Sequence, residues 1–156
     1  MLKKIRLWLK KKLVKMKVLD SIVIDGTVYK IIDKTCILPN VKNTRLLRFK
    51  KDNMFYSYSA IHLNPKHHFQ PFLSVVQKVI SIWSKSYSLN NSLVLGCAGC
   101  AIPRFISLHY PKSNVIGVEL SEDVIKVAKK YFFLEQIENQ FELVKGDAIE
   151  YVKNYN

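Results

Sequence analysis

The sequence predicts an α/β protein in which a small antiparallel β-domain precedes a parallel sheet with flanking helices. Two observations predict this fold class. Residues 21–61 have a strand-like pattern with hairpin signals, and Ser21–Ile32 is rich in strand-forming Ile, Val and Tyr. Short apolar runs then alternate with helical patterns over residues 65–156, which is typical of parallel βαβ units. The length of 156 residues suits one domain, or one small domain with part of another.

Residues 1–17 predict a basic amphipathic helix. Apolar residues recur at spacings of three or four and share one face, while Lys and Arg fill the remainder; the apolar positions are Leu2, Ile5, Leu9, Leu13 and Met16. Such a helix can lie on an anionic membrane surface, or it can dock on the protein itself or on a second subunit. We prefer docking. Lysines interrupt every apolar run, so a cleaved signal peptide is not expected.

Residues 18–64 predict the small β-domain. The segment Ser21–Ile32 reads as two strands, and Asp25-Gly26 is a typical hairpin turn between them. Two further strands are expected over Arg45–Phe49 and Met54–Ile61, joined by a second turn. An antiparallel sheet follows from these short connections.

Residues 65–156 predict the parallel sheet, preceded by a helix over Phe69–Ser84. The later elements, in order, are strand Leu93–Leu95, helix Ile102–His109, strand Val115–Glu119, helix Glu122–Leu134 and strand Phe141–Val144. Strand–helix–strand repeats imply right-handed crossovers, and hence parallel strands. Ser121 is expected to cap the helix that begins at Glu122.

The first strand of this sheet runs into a turn of small residues, Gly96 to Gly99, where a helix is about to begin. A strand that ends in this way presents backbone N–H groups to a nucleotide-like ligand. A side chain at Gly96 would then fill the space of the ligand. A plain strand-to-helix turn also favours glycine and explains the motif equally well.

Two carboxylates follow the next two strands. Glu119 lies 23 residues after Gly96, close to the spacing at which an acid accepts hydrogen bonds from both hydroxyls of a ribose. Asp147 lies 28 residues further on, where it can accept from the exocyclic amine of a base while Ala148 N–H faces a ring nitrogen. The alternatives are a surface Glu and a Gly-Asp turn. We expect a pocket for a ribose and a base.

These residues resemble the start of a class I S-adenosylmethionine-dependent methyltransferase domain, and more narrowly its spermidine synthase-like branch. The phrases that carry the resemblance are Val94-Leu95-Gly96, Ile102-Pro103-Arg104-Phe105, Tyr110-Pro111, Val118-Glu119-Leu120, Val127–Phe132 and Gly146-Asp147-Ala148. Upstream, Arg45–Phe49 and Tyr58–Ala60 resemble the small N-terminal β-domain of that branch. The resemblance implies a Rossmann-like, methyltransferase-type sheet, of which residues 65–156 form the first half.

The resemblance also implies a ligand, either S-adenosylmethionine or decarboxylated S-adenosylmethionine, without a metal. It puts the amino-acid part of the cofactor at the small-residue turn, the ribose at Glu119 and the adenine near Asp147. The implied cofactor-binding residues are Gly96, Cys97, Ala98, Gly99, Glu119, Leu120, Asp147 and Ala148. An active enzyme would be a methyltransferase or an aminopropyltransferase, but no residue of the chain is identified as catalytic.

The chain departs from this family at several points, of which two concern the proposed cofactor turn and the sheet. Ala98 and Cys100 stand where such proteins usually have glycine, and a strained backbone at Ala98 could weaken binding. The chain also stops before the fourth of the seven expected strands, which leaves Leu93–Leu95 as an apolar edge. We therefore expect a fragment, a truncated product, or a homodimer or higher oligomer that covers this edge.

Cysteine usage points to a reducing, cytoplasmic compartment, because Cys36, Cys97 and Cys100 are few and odd in number. Cys97 and Cys100 also form a Cys-x-x-Cys at a helix start, where a thiol pKa falls, so a redox or metal role is an alternative. No second ligand pair stands at zinc spacing. Small residues of a cofactor loop remain the preferred interpretation.

Charge gives the remaining alternatives. Residues 92–156 hold seven Lys or Arg and eight Asp or Glu, so the net charge of +13 belongs to residues 1–91. That half can attract RNA or an anionic surface, with Tyr56, Tyr58, Arg45 and Arg48 as candidates, or it is simply a solvated face. A non-catalytic oligomerising or RNA-binding module is therefore the second hypothesis. A nicotinamide-type dinucleotide binder is the third, but it leaves Asp147 unexplained.

Overall fold

The computed structural model describes residues 13–37, 43–64, 74–137 and 140–155. The chain divides into two compact units, Met1–His68 and Phe69–Asn156. No described helix is long and apolar enough to cross a lipid bilayer.

The N-terminal unit holds a four-stranded antiparallel sheet in the order β1-β2-β3-β4. Its strands are β1 (Val14–Ile24), β2 (Thr27–Cys36), β3 (Thr44–Lys51) and β4 (Met54–His62). Both hairpins close in two-residue turns with left-handed backbones: φ is 47° and 72° at Asp25 and Gly26, and 48° and 60° at Asp52 and Asn53. Two successive positive φ angles are the pattern of a type I′ turn, which matches the twist of paired strands. The predicted antiparallel sheet is confirmed.

The centre of this sheet is held by apolar burial and by one ion pair. Ile31 and Leu47 lie opposite each other on β2 and β3 and are fully buried. The next residue pair on the same face is Asp33 and Arg45, whose two hydrogen bonds measure 2.7 Å (Nε to Oδ1) and 2.9 Å (Nη2 to Oδ2). A bidentate pair of this kind fixes strand register as well as contributing energy.

The predicted N-terminal helix is wrong over Val14–Lys17, which belong to β1. These four residues pair with Asp33–Cys36 of β2. Met16, assigned by its spacing to an apolar helix face, is instead an exposed strand residue. The ladder of interstrand hydrogen bonds overrides the helical spacing here, because β2 offers a complete partner edge. Residues 1–12 of the predicted helix lie outside the described residues.

The C-terminal unit holds a three-stranded parallel sheet in the order β5-β6-β7, with helices between the strands. Its elements are α1 (Ser74–Trp83), β5 (Asn91–Leu95), α2 (Ala101–His109), β6 (Asn114–Glu119), α3 (Glu122–Tyr131), a 3₁₀ turn (Leu134–Gln136), β7 (Glu142–Lys145) and α4 (Ala148–Lys153). The predicted parallel sheet is confirmed. The part of the first predicted helix that precedes residue 74 lies outside the described residues.

Helix α3 is shorter than predicted. It ends at Tyr131 rather than Leu134, because Phe133 adopts a left-handed backbone (φ 56°) that an α-helix cannot continue through. At its other end, Ser121 Oγ accepts a hydrogen bond from Val124 N at 3.3 Å, which confirms the predicted cap.

The core of this unit lies between the sheet and its helices. Its side chains that are at most 1% exposed include Val115, Val118, Val124, Ala128 and Phe132. Full burial of a large apolar side chain contributes about 1.5–3 kcal/mol relative to leaving it in water. This packing fixes the three strands side by side, so their carboxyl ends share one edge.

Strand β5 forms one border of the described sheet. It pairs with β6, and within the described part of the chain it has no partner on its other side. Leu93 and Leu95 are 38% and 48% exposed there. This is the apolar edge that the sequence predicts; its coverage by a second copy stays a prediction.

Candidate functional site

The carboxyl ends of the three parallel strands are joined by backbone hydrogen bonds. Gly96 N donates to Val118 O at 2.9 Å, and Gly146 N donates to Glu119 O at 3.0 Å. The turn after β5, the end of β6 and the turn after β7 therefore lie next to one another. The predicted site residues come from these three segments.

The Glu119 side chain is the centre of this arrangement. It is only 3% exposed, yet its carboxylate is held by two backbone donors. Ala98 N donates to Oε2 at 2.8 Å, and Ser121 N donates to Oε1 at 3.1 Å. These bonds offset the cost of burying the charge. Each oxygen keeps a second lone pair, so the carboxylate can still accept hydrogen bonds from hydroxyl groups.

The turn between β5 and α2 has an unusual backbone. Its φ angles are 76° at Gly96, 47° at Ala98 and 57° at Cys100. Ala98 and Cys100 therefore adopt the left-handed conformation that glycine adopts freely, and each costs about 1–2 kcal/mol. The expected backbone strain at Ala98 is confirmed. A Cβ added at Gly96 would meet no atom within 4 Å, so the turn borders open space.

Both cysteines of this turn point into the protein. Cys97 and Cys100 are buried, and Cys97 Sγ donates to Val94 O at 3.4 Å. A hydrogen bond with the Cys100 side chain, together with burial, raises the pKa of the Cys97 thiol well above its ordinary range. A thiol that stays protonated is a poor nucleophile and a poor metal ligand. The geometry therefore favours a packing role over the redox alternative.

Cys97 also explains a glycine inside strand β6. A Cβ at Gly117 would lie 2.6 Å from Cys97 Sγ, which is far closer than any real contact. The sulfur therefore occupies the space that a side chain at Gly117 would need. A glycine inside a strand often indicates that another part of the protein packs closely against the backbone there. Gly117 is such a glycine, so this feature could have been found in the sequence.

Asp147 lies at the N-terminus of α4. Its Oδ1 accepts hydrogen bonds from Ile149 N at 2.7 Å and from Glu150 N at 3.1 Å, so it acts as a helix cap. Its side chain is exposed, and a hollow of about 360 Å³ adjoins it. Asp147 is thus linked to Glu119 through Gly146 rather than by direct contact. Ala148 is the first residue of α4, and Leu120 is exposed at the end of β6.

Arg104 has a role that the sequence does not reveal. Its side chain is buried in α2, and Nη2 donates to Phe132 O and, at 3.5 Å, to Gly99 O. Burial lowers the pKa of this guanidinium to about 10. Arg104 thereby ties the small-residue turn to the end of α3. The only signal in the sequence is a lone cation among apolar residues of a helix.

The comparison with curated proteins gives one partial similarity, and no family model matches the chain. A polyamine aminopropyltransferase of Chromobacterium violaceum is 34% identical over 61 residues, which are 39% of this chain and 23% of that enzyme. The aligned part is therefore a small share of the enzyme's length.

Solved structures resemble the chain over most of its length. A probable spermidine synthase from Corynebacterium glutamicum aligns over 90% of the chain with a TM-score of 0.64 and 13% identity. A spermidine synthase in complex with the transition state analogue AdoDATO gives 0.59 and 17%, and the spermidine synthase from Thermotoga maritima gives 0.55 and 16%. The chain spans 48%, 44% and 44% of these structures. It therefore has a spermidine synthase-like α/β fold over the part of these structures that it spans.

Proposed function

We propose that the C-terminal unit binds the adenosyl group of S-adenosylmethionine or of its decarboxylated form. The carboxylate of Glu119 carries this proposal. It lies at the carboxyl end of the middle strand, and its two oxygens are held in place by Ala98 N and Ser121 N. The remaining lone pairs suit the two hydroxyls of a ribose, which are the donors that an adenosyl ligand presents.

The backbone of the turn supports the same proposal. Left-handed residues other than glycine persist only where the surrounding structure imposes them, and they cluster at ligand sites. Ala98 and Cys100 are two such residues within three positions. The turn is therefore held in its shape before a ligand arrives, and the open space beside Gly96 leaves room for the amino-acid part of the cofactor.

The reaction class that we propose is group transfer from a sulfonium centre, with aminopropyl transfer preferred. The similarity to an aminopropyltransferase and to spermidine synthases supports this preference. In such a transfer, a nucleophile attacks the carbon attached to the sulfonium sulfur in line, the carbon–sulfur bond breaks, and the sulfur leaves as a neutral thioether. The contribution of the residues named here is to bind and orient the donor, which is a proximity effect.

Calorimetry with the full chain tests the proposal. We expect saturable heat with S-adenosylmethionine or decarboxylated S-adenosylmethionine, and binding at least about 10-fold weaker in Glu119→Gln, since an amide accepts fewer hydrogen bonds than a carboxylate. Glu122→Gln is the matched control. It removes the same charge only three residues from Glu119, but at an exposed side chain that pairs with Lys145 at 3.9 Å. It should bind like the unaltered chain.

Two results would overturn the proposal. One is the absence of heat with both ligands while circular dichroism shows a folded chain. The other is equal weakening by Glu119→Gln and Glu122→Gln, which would mean that net charge rather than the site governs binding. Binding of NADH that S-adenosylmethionine does not displace would favour the dinucleotide alternative.

A further inference from the structure

A groove of about 370 Å³ lies on one face of the antiparallel sheet, near the end where both hairpins turn. Alternate residues of three neighbouring strands line it. They are Val28, Lys30 and Ile32 of β2, Arg48 and Lys50 of β3, and Phe55 of β4; Gly26, Thr27 and Phe49 complete the lining. This set, named here the basic groove, belongs to the N-terminal unit and is independent of the adenosyl site proposed above.

The basic groove concentrates positive charge without compensation. Lys30 and Arg48 are direct cross-strand partners, and Lys50 follows on the same face of β3. No Asp or Glu lines the groove, and none of the three cations forms an ion pair with a described carboxylate. Like charges placed directly opposite each other destabilise a sheet. An anion that binds between the two side chains would remove this repulsion.

Arg48 is held in place for contact rather than extended into water. Its guanidinium lies 4.9 Å above the ring of Phe55. Its Nε atom is buried, and no described residue accepts a hydrogen bond from it. A desolvated donor without a partner is unfavourable unless a ligand supplies an acceptor. The groove therefore offers a pre-positioned planar cation beside an aromatic ring.

The aromatic residues on the other face of the sheet do not offer this combination. Tyr29 packs at a tilt against Phe49, and Phe49 stacks on Tyr56, with ring centroids 5.0 and 5.3 Å apart; of these three rings, only Phe49 also borders the groove. Arg45, on that face, is neutralised by Asp33. Of the two arginines predicted as RNA-binding candidates, Arg45 is therefore engaged by Asp33, whereas Arg48 lies in the groove beside Phe55.

We propose that the basic groove binds a nucleotide, with the phosphate between Lys30 and Arg48 and the base against Phe55. Ammonium and guanidinium groups both donate to phosphate oxygens, and a guanidinium or an aromatic ring stacks on a base. Val28 and Phe55, 51% and 59% exposed, form the apolar wall. The volume suits a single nucleotide. Its source is either a free nucleotide or one position of a single-stranded RNA.

Fluorescence anisotropy with the full chain tests this proposal, with a labelled oligouridine as probe. The decisive comparison is Lys30→Ala with Lys34→Ala. Both lysines are exposed and lie on the same face of β2, so each variant loses one charge, but only Lys30 lines the groove. We expect Lys30→Ala to weaken binding at least about 5-fold and to lower the salt slope by about 0.7, the value for one phosphate contact, while Lys34→Ala changes neither.

The second arm adds AMP as a competitor. If AMP displaces the oligouridine, a free nucleotide is sufficient for binding. If the oligouridine stays bound, the single strand is the ligand. Either result supports the proposed groove when binding depends on Lys30. Equal weakening by the two variants would show non-specific attraction and overturn the proposal. So would the absence of binding to either probe, or Lys30-dependent binding confined to anionic lipid vesicles. Lys50→Ala serves as a second groove variant if Lys30→Ala fails to fold.

Discussion

Substitution of Gly117 by alanine tests the packing beneath the candidate adenosyl site. The added Cβ would lie 2.6 Å from Cys97 Sγ, whereas Pro103 Cγ at 3.4 Å and Leu143 Cδ1 at 3.5 Å are close to ordinary contact distances. The clash therefore falls on one sulfur atom. Cys97 can turn away only by giving up its hydrogen bond to Val94 O. We expect Gly117→Ala to lower the free energy of unfolding by about 1–3 kcal/mol, the usual cost of overpacking.

A double-mutant cycle isolates this single contact. Cys97→Ala removes the sulfur, so the pair Gly117→Ala and Cys97→Ala should be less destabilised than the sum of the two single variants, by about 1 kcal/mol or more. The assay is urea denaturation followed by circular dichroism. Gly146→Ala is the control, because a Cβ there meets no atom within 4 Å. Its effect should stay within about 0.5 kcal/mol. Additivity to within about 0.3 kcal/mol would refute the assigned clash.

Three other predictions concern the same unit. Gly96→Ala should cost about 1–2 kcal/mol in urea denaturation although its Cβ meets open space, because φ is 76°. Because the pKa of Cys97 is raised in the folded chain, only the unfolded thiol ionises when the pH exceeds its ordinary pKa of 9.0. The free energy of unfolding should therefore fall by up to about 1.4 kcal/mol per pH unit above pH 9. The Cys97→Ala variant should lack this loss. Leu93→Lys should dissociate a dimer in sedimentation experiments.

Each of these has a clear contrary result. A Gly96→Ala variant as stable as the unaltered chain would mean that the turn relaxes without cost. Parallel pH profiles of the unaltered chain and Cys97→Ala, compared between pH 8 and 10.5, would mean that the thiol ionises normally in the folded state. A monomer at all concentrations would remove the dimer that Leu93→Lys is designed to disrupt.

Features set by short sequence segments are predictable from the sequence. Asp25-Gly26 forces two left-handed residues into a hairpin turn, and Ser121 offers a side-chain acceptor to the first turn of α3; neither needs information from elsewhere in the chain. The alternation of strand and helix patterns likewise predicts parallel pairing. Spacing along the sequence also predicts that Gly96 and Glu119 belong to one site.

Features set by distant partners escape this reasoning. The apolar residues up to Met16 do have helical spacing, but this segment pairs with β2 instead, and the local sequence does not predict that pairing. Glu119 receives one of its two donors from Ala98, 21 residues away, so its burial depends on the completed sheet. Arg104 is similar, because its acceptors belong to other segments of the unit.

The order of strands in the N-terminal unit has a consequence for how the chain acquires its structure. Every strand there pairs with its immediate neighbour in sequence, and two-residue turns close both outer hairpins. The parallel sheet instead pairs strands that are separated by a helical crossover. Short-range contacts form faster than long-range ones. Refolding should therefore begin with the antiparallel sheet, and the parallel sheet should follow in a slower kinetic phase.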